Sequence, residues 1–373
     1  MANTTTPTTA INRHYNWRAN GNPTWRGYAT KPGRQHYLQW LAAETSTAWW
    51  HDSADPEELA FGKAHGAVGV TTNPVLAAQA LQSKREFWAD TLQSSERGVE
   101  GLLQGVATNA SRMFADVYRR TKGVQGYVCS QVNPAKAADR QEMMAMAERF
   151  HSWTENISVK LPATAAGLDV LEECAARGIC VTSTVSFTVP QVIAAAERYR
   201  AGLRRASAAG IAPAPCFAVI MIGRLDDYLR DVLLDGRTGA DPADATKAGL
   251  AVVKRAYSIF KERGYEARLL IAAMRGTYHV VELSGGQLIL SIHPKIQSLL
   301  LQPQVPRELF IDRPVEDNAI ERLRALPEFV RAYEPDGMRP EQFITFGVTQ
   351  RTLSQFSEAG WSMLEKLQKN ARR

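Results

Sequence analysis

The 373-residue sequence lacks long apolar runs and has few cysteines. No run approaches the roughly 18 apolar residues that a membrane-spanning helix needs, so we expect no membrane partner. The first 17 residues are polar and lack the apolar core of a signal peptide. The four cysteines are scattered without metal-ligand spacing, which predicts reduced, buried thiols in a cytoplasmic protein and no metal site.

Acidic residues are absent from the first 43 residues, which carry five basic ones. Because the net charge is +6, the rest of the chain carries only +1, so the protein is not a polycation. Aromatic side chains are interleaved with these basic residues: Tyr15, Trp17, Trp25, Tyr28, Tyr37 and Trp40. This mixture also suits single-stranded nucleic acid. We favour instead an arm, residues 1–43, that packs on the main domain or on a neighbouring subunit of a homo-oligomer, with no nucleic-acid partner.

From residue 44 onwards, short apolar runs alternate with longer amphipathic ones. The apolar runs are TSTAWWHDS, AVGVTT, GYVCSQV, NISVKL, ICVTSTV, PCFAVIMI, ARLLIAA and QLILSI. Apolar strands that each precede a helix are typical of a parallel sheet covered by helices. Eight such units over about 250 residues predict an α/β protein, a (β/α)8 TIM barrel spanning residues 44–302. Residues 303–373 are predicted to form a C-terminal helical extension packed on the barrel. A doubly wound open sheet is the alternative, but no glycine-rich phosphate fingerprint follows the first strand.

Polar residues end several predicted strands, at the edge where the catalytic residues of such barrels lie. They are Asp52, Asn73, Gln131, Lys160 and Thr184. Helix capping is the structural alternative, and it explains Asp52 and Thr184 well. It explains Lys160 poorly, because an ammonium group cannot accept helix N–H bonds and opposes the positive end of the helix dipole.

The hypothesis about the chemistry of the site is therefore based on Lys160. Burial favours loss of its proton, and the neutral amine is a nucleophile that forms a Schiff base with a ketone or aldehyde. The iminium then withdraws electrons from an adjacent carbon–carbon bond, which breaks or forms. Asp52 and Asn73 are candidates for the acid–base group and the hydrogen bond that such chemistry needs.

Three segments resemble the transaldolase family. GVTTNPVL (69–76) is similar to its TTNP signature, ISVKLPATAAGLDVLEECAARGI (157–179) to its Schiff-base lysine segment, and IGRLDD (222–227) to its GRIDD motif. The resemblance runs from about residue 45 to the C-terminus. It implies a class I aldolase barrel of pentose phosphate metabolism, which transfers a three-carbon ketol unit from a ketose phosphate to an aldehyde without metal or cofactor.

The resemblance also implies roles for individual residues. Lys160 would form the Schiff base, and Asp52 would move the hydroxyl proton at the breaking bond. Asn73 would bond a hydroxyl of the three-carbon unit, and Thr184 would hold the catalytic water.

Two arginines complete the predicted site. The resemblance implies that Arg224 binds the substrate phosphate and that Arg275 assists it. Independently of the resemblance, two arginines at adjacent strand ends are suited to bind one anion between them.

Four positions depart from the family pattern. Gln131 stands where transaldolases carry a water-holding glutamate, and resembles the fructose-6-phosphate aldolase branch. Met221 stands where that branch has tyrosine and transaldolases have phenylalanine. Ala273 and Thr182 replace an expected serine and asparagine.

Three interpretations therefore stay open: a transaldolase, an aldolase or synthase with a different donor or acceptor, and an inactive barrel that only binds.

Two further features are interpreted as structural. Strand alternation turns His51 to the face opposite Asp52, where it should pack between strand and helix. Asp226 and Asp227 follow Arg224 and are expected to cap a helix.

Overall fold

Seven parallel strands form one sheet in the computed structural model, which describes residues 36–93, 98–236 and 242–371. The strands follow the order β1-β7-β6-β5-β4-β3-β2. Their bounds are β1 Ala48–His51, β2 Val128–Gln131, β3 Ile157–Pro162, β4 Val181–Thr184, β5 Cys216–Met221, β6 Arg268–Ala272 and β7 Ile289–Ile292. Almost every strand residue is buried, because one face lines the core and helices cover the other.

The predicted second strand, AVGVTT, forms isolated bridges instead. Val70 is bridged to both His51 and Val128, so this segment lies between β1 and β2. The Thr71 N–H donates to the His51 carbonyl and the Val70 N–H to the Tyr127 carbonyl, each at 2.9 Å. AVGVTT is therefore not a regular strand, and the described residues form a curled seven-stranded sheet.

Helices connect the strands and pack outside the sheet. Those up to β4 are α1 Tyr37–Glu44, α2 Pro56–Ala64, α3 Pro74–Ser83, α4 Ala89–Gln93, α5 Gly98–Arg120, α6 Arg140–His151 and α7 Ala165–Ala176, with a 3₁₀ helix at Pro134–Lys136. Those between β4 and α12 are α8 Val189–Ala208, α9 Ile222–Gly236, α10 Ala245–Arg263, α11 Thr277–Glu282 and α12 Pro294–Leu300, with a 3₁₀ helix at Pro242–Asp244. The remaining ones are α13 Asp317–Leu323, α14 Pro327–Tyr333, α15 Pro340–Phe343, α16 Gly347–Gln355 and α17 Ser362–Ala371.

A π-helix, Phe356–Trp361, joins α16 to α17 and packs against α3. The helices α13 and α14 contact α10 on the outside of the sheet. The segment after residue 302 is thus helical and lies against helices that flank the strands.

Short polar residues start several helices. The Asp55 carboxylate accepts from the backbone N–H groups of Glu57 and Glu58, and the hydroxyls of Thr164 and Thr188 cap α7 and α8. Such caps satisfy N–H groups that have no partner within the helix. Because these residues do the capping, the strand-end residues before them are free for other contacts.

The N-terminal arm is described only at its end. Residues 1–35 lie outside the described residues, so the expectation for them stays a prediction. Tyr37 and Trp40 of α1 are buried against the main core. All four cysteines are buried and unpaired, which confirms their interpretation as thiols. In the described part of the chain, no helix has the length and apolarity to cross a membrane.

Candidate active site

The carboxyl ends of the parallel strands bring the predicted site residues to one edge of the sheet. Gln131 at the end of β2 is the partner of Lys160 on β3, and Lys160 is the partner of Thr182 on β4. Partners in neighbouring strands point to the same face, so these three side chains share the inner face. Met221 ends β5 and is also buried.

Lys160 is enclosed by protein, with only 5% of its surface exposed. Its ammonium nitrogen Nζ donates to the Thr72 carbonyl at 3.1 Å. Burial lowers the pKa of Lys160, the positive charge of Arg224 lowers it further, and the nearby Asp52 opposes the change in part. Burial also raises the pKa of the neighbouring Cys129 thiol, so that group is neutral near pH 7 and does little to hold the proton on Lys160. The environment therefore favours the nucleophilic amine.

Asp52 follows β1 and is held by a chain of hydroxyl groups. Its Oδ1 accepts from the Thr71 hydroxyl at 2.7 Å. Thr71 Oγ1 also lies 2.5 Å from Ser291 Oγ. Since the Thr71 proton goes to the carboxylate, Ser291 is the donor in that second bond. Asp52 does not cap α2, because Asp55 does, so the capping interpretation of Asp52 is wrong.

Two buried acceptors near Lys160 make no hydrogen bond to the described residues: Gln131 Oε1 and Thr184 Oγ1. Buried polar atoms are normally bonded, so both are suited to a bound molecule or a water. Thr184 does not cap α8, since Thr188 does. The capping interpretation of Thr184 is therefore also wrong. Thr182 differs, because its hydroxyl lies 2.7 Å from Ser158 Oγ and 3.3 Å from Cys129 Sγ.

Asn73 does cap a helix. Its Oδ1 accepts from the backbone N–H groups of Val75 and Leu76 at the start of α3. The cap fixes the side chain and uses its oxygen, which leaves the amide nitrogen outside these two bonds.

The two arginines lie near each other but have different partners. Arg224 Nη1 donates to Gln355 Oε1 at 2.6 Å, and its guanidinium stacks 5.2 Å from the centre of the Phe356 ring. Burial, aided by the charge of Arg275, lowers the pKa of Arg224 to about 10. Arg275 instead pairs with Asp227, with Nε and Nη2 at 2.8 and 2.7 Å from Oδ2.

A glycine lets these two segments approach. A Cβ atom at Gly223 would lie 2.5 Å from both the Ala273 carbonyl oxygen and Arg275 Cγ. Ala273 itself has φ +58, in the left-handed region that non-glycine residues rarely adopt. The backbone beside the arginines is therefore closely packed and locally strained.

Asp226 and Asp227 do not cap a helix, so that interpretation is wrong. The helix α9 already begins at Ile222, which places both residues inside it. Asp226 accepts from the Gly249 N–H at 2.7 Å and lies 2.9 Å from His279 Nε2. Asp227 binds Arg275. His51, in contrast, is fully buried against α2 and α12, which confirms its structural interpretation.

Sequence reasoning missed Thr71, Ser291, Gln355 and Phe356. Thr71 lies within the GVTTNPVL segment, so the motif itself could have indicated it as a site residue. Ser291 and Gln355 carry no local signal, because they meet their partners across 220 and 131 residues of sequence.

The site and fold together define the class of protein: a parallel α/β scaffold with a buried lysine at the carboxyl edge of its strands. Residues 49–342 match the family model of Transaldolase/Fructose-6-phosphate aldolase, which covers more than half of the chain. The chain belongs to this family.

Several proteins named transaldolase are similar to the chain. One from Renibacterium salmoninarum is 29% identical over 245 residues, which cover 61% of this chain and 65% of the relative. One from Kocuria rhizophila is 30% identical over 239 residues, covering 59% and 64%. Transaldolase 1 of Streptomyces avermitilis is 33% identical over 208 residues, covering 52% and 54%. The chain thus spans less than two thirds of the length of these relatives.

Proposed function

We propose that the protein is a transaldolase-type transferase in which Lys160 forms a Schiff base with a ketose and passes a three-carbon ketol unit to an aldehyde. The observation that carries this proposal is the burial of the Lys160 amine. Asp52 lies close to it, and so do two acceptors without a hydrogen bond to the described residues, Gln131 Oε1 and Thr184 Oγ1. Family membership adds support, since the relatives are named transaldolases.

In the first half-reaction, neutral Lys160 Nζ attacks the carbonyl carbon of the ketose. The carbonyl oxygen leaves as water after one proton is taken up, and an iminium forms. The Asp52 carboxylate then accepts the proton of the hydroxyl on the carbon that departs. The electron pair of the breaking carbon–carbon bond moves to the iminium nitrogen, which leaves an enamine on Lys160 and releases an aldehyde.

In the second half-reaction, the enamine carbon attacks the acceptor aldehyde. Asp52 returns its proton to the oxygen of the new bond, and the iminium forms again. Water held by Thr184 and Gln131 adds to the iminium carbon, which frees the product ketose and restores Lys160. Asn73, through its amide nitrogen, is suited to hold a hydroxyl of the three-carbon unit.

The proposed substrate is anionic, most simply a sugar phosphate. Arg224 makes no ion pair within the described ranges, and the charge of Arg275 lies close enough to lower the pKa of Arg224. A half-buried guanidinium without a carboxylate partner attracts phosphate. Thr182 and Met221 are proposed to line the same pocket below it.

The finer architecture is also a proposal. Segment 67–72 hydrogen-bonds to β1 on one side and to β2 on the other, so we take it as the eighth member of a (β/α)8 barrel over residues 44–302. Residues 303–373 are the proposed helical extension, and residues 1–43 the arm. Four free thiols support a reducing, cytoplasmic location.

A related aldolase or synthase is the second candidate. It is favoured by Gln131, an amide that cannot titrate where a glutamate is expected, and by the apolar Met221. An inactive barrel is disfavoured, because a chain without catalysis gains nothing from burying Lys160.

Borohydride trapping tests the proposed function. Incubation with fructose 6-phosphate or dihydroxyacetone and borohydride should attach a reduced three-carbon group to Lys160, as seen by peptide mass mapping. Lys160→Met should abolish labelling and turnover, while Lys295→Met, which alters an exposed lysine, should retain both. Labelling that persists in Lys160→Met would refute the assignment.

A further inference from the structure

The guanidinium of Arg224 is held by the C-terminal part of the chain. Gln355 Oε1 accepts from Arg224 Nη1 at 2.6 Å, and the Phe356 ring lies under the guanidinium. One contact fixes the position of a nitrogen, and the other fixes the plane of the group. Together they determine which N–H groups of Arg224 remain for a ligand.

Gln355 orients Arg224 without neutralising it. An amide oxygen accepts a hydrogen bond but carries no charge, whereas a carboxylate would complete an ion pair. Arg275 shows the contrast, because its charge is offset by Asp227. Of the two arginines, Arg224 is therefore the one that makes no direct ion pair with a carboxylate of the described residues, although the charges of Asp227 and Asp52 act on it from further away.

Gln355 is itself exposed, and the segment that follows it packs against the helix α3. Gln355 is the last residue of α16, and the π-helix Phe356–Trp361 follows directly. That π-helix contacts α3, where a Cβ atom at Gly360 would lie 2.7 Å from Pro74 Cβ. π-Helical turns are often found at functional sites. Gln355 also lies beyond residues 49–342, the part that matches the family model.

We propose that Gln355 is a positioning residue that sets the preference of this site for phosphorylated over unphosphorylated substrates. It acts through Arg224, because it orients the guanidinium towards the barrel mouth and leaves it without a direct ion pair among the described residues. This inference rests on the proposed function for its substrate, but its contacts lie outside the Lys160 chemistry.

The test replaces the neutral acceptor by a charged one. Gln355→Glu should pair with Arg224 and raise KM for fructose 6-phosphate about 10- to 100-fold, the usual effect of losing one charge-assisted bond. kcat with dihydroxyacetone as donor and glyceraldehyde as acceptor, neither of which carries a phosphate, should stay near wild type. Gln355→Ala should give a smaller rise in KM, since Arg224 keeps its charge but loses its orientation. Ser354→Ala, at the neighbouring exposed position, is the matched control.

A second readout does not need activity. Inorganic phosphate should bind wild-type protein and Ser354→Ala, as measured by calorimetry, and bind Gln355→Glu about 10- to 100-fold more weakly. Equal phosphate affinity in wild type and Gln355→Glu would overturn the inference, and so would equal losses for phosphorylated and unphosphorylated donors. Failure of Lys160 trapping would instead refute the proposed function, while the phosphate-binding comparison would still decide the role of Gln355.

Discussion

Lys160 and Asp52 are tuned by different means. Burial drives Lys160 towards its neutral form, which is the form that attacks a carbonyl. Asp52 is only partly buried and is positioned by the Thr71–Ser291 hydroxyl chain. Positioning matters for a group that transfers a proton in the transition state, because transfer requires hydrogen-bond distance to the substrate.

Asp52→Asn should separate imine formation from carbon–carbon cleavage. An amide of nearly the same shape still accepts from Thr71 but cannot take the substrate proton. We expect cleavage to fall about 10²–10⁴-fold, the usual contribution of one general acid–base residue. Borohydride should still label Lys160. Rapid-quench measurement of aldehyde release gives the rate, with the exposed Glu57→Gln as control. Near-normal cleavage in Asp52→Asn would assign the proton transfer to another group.

At the scale of elements, the site depends on how closely segments approach at the strand ends. Val185 after β4 and Ala273 after β6 both have positive φ angles, +51 and +58. Such conformations cost about 1–3 kcal/mol each and persist only where surrounding contacts impose them. The C-terminal π-helix approaches α3 in the same close manner, through Gly360.

Gly360→Ala should loosen the C-terminal helices. The added Cβ would meet Pro74 Cβ at 2.7 Å and the Val75 nitrogen at 2.9 Å, contacts that require the two helices to move apart. We expect a loss of about 1–3 kcal/mol in the free energy of unfolding, as for other overpacked sites. Urea denaturation measures it. Ala359→Ser, at an exposed position of the same π-helix, should change stability little. A Gly360→Ala protein as stable as wild type would show that this contact is not tight in solution.

For the whole molecule, stability at acidic pH should depend on a buried histidine. Burial lowers the pKa of His51 to about 4, whereas an unfolded histidine titrates near 6.5. Between these values the unfolded chain binds a proton that folded His51 does not. The free energy of unfolding therefore falls as pH falls through this window, by about 3 kcal/mol in total.

His51→Asn should remove most of this pH dependence. The Asn oxygen replaces Nδ1 as acceptor for the Gln297 amide, which lies 2.9 Å from it in the wild type, and does not titrate. Urea unfolding at pH 7 and at pH 4.5 gives the slope for each variant. His36→Asn, at an exposed position, should keep the wild-type slope. An unchanged slope in His51→Asn would mean that other groups cause the acid sensitivity.

Much of the fold follows from local patterns. Apolar runs of strand length, each followed by a predicted helix, correctly located the seven strands of the described residues. The segment AVGVTT, predicted as a strand, forms only isolated bridges at Val70, because its apolar pattern does not determine how many residues pair with the strands on either side. The roles of Lys160, Asp52 and the other site residues stay predictions, although their shared location at one edge follows from the parallel sheet.

The sequence by itself determined which residues are exceptional, and the tertiary structure decided what each one meets. Lys160 stands out because a charge at the end of an apolar strand conflicts with its neighbours, and that conflict is visible within a few residues. The partners of Arg224 and Thr71 are not visible in this way, since Gln355 and Ser291 lie 131 and 220 residues away. Periodicity and capping act within one element, whereas these contacts exist only after the sheet curls and the C-terminal helices pack against α3.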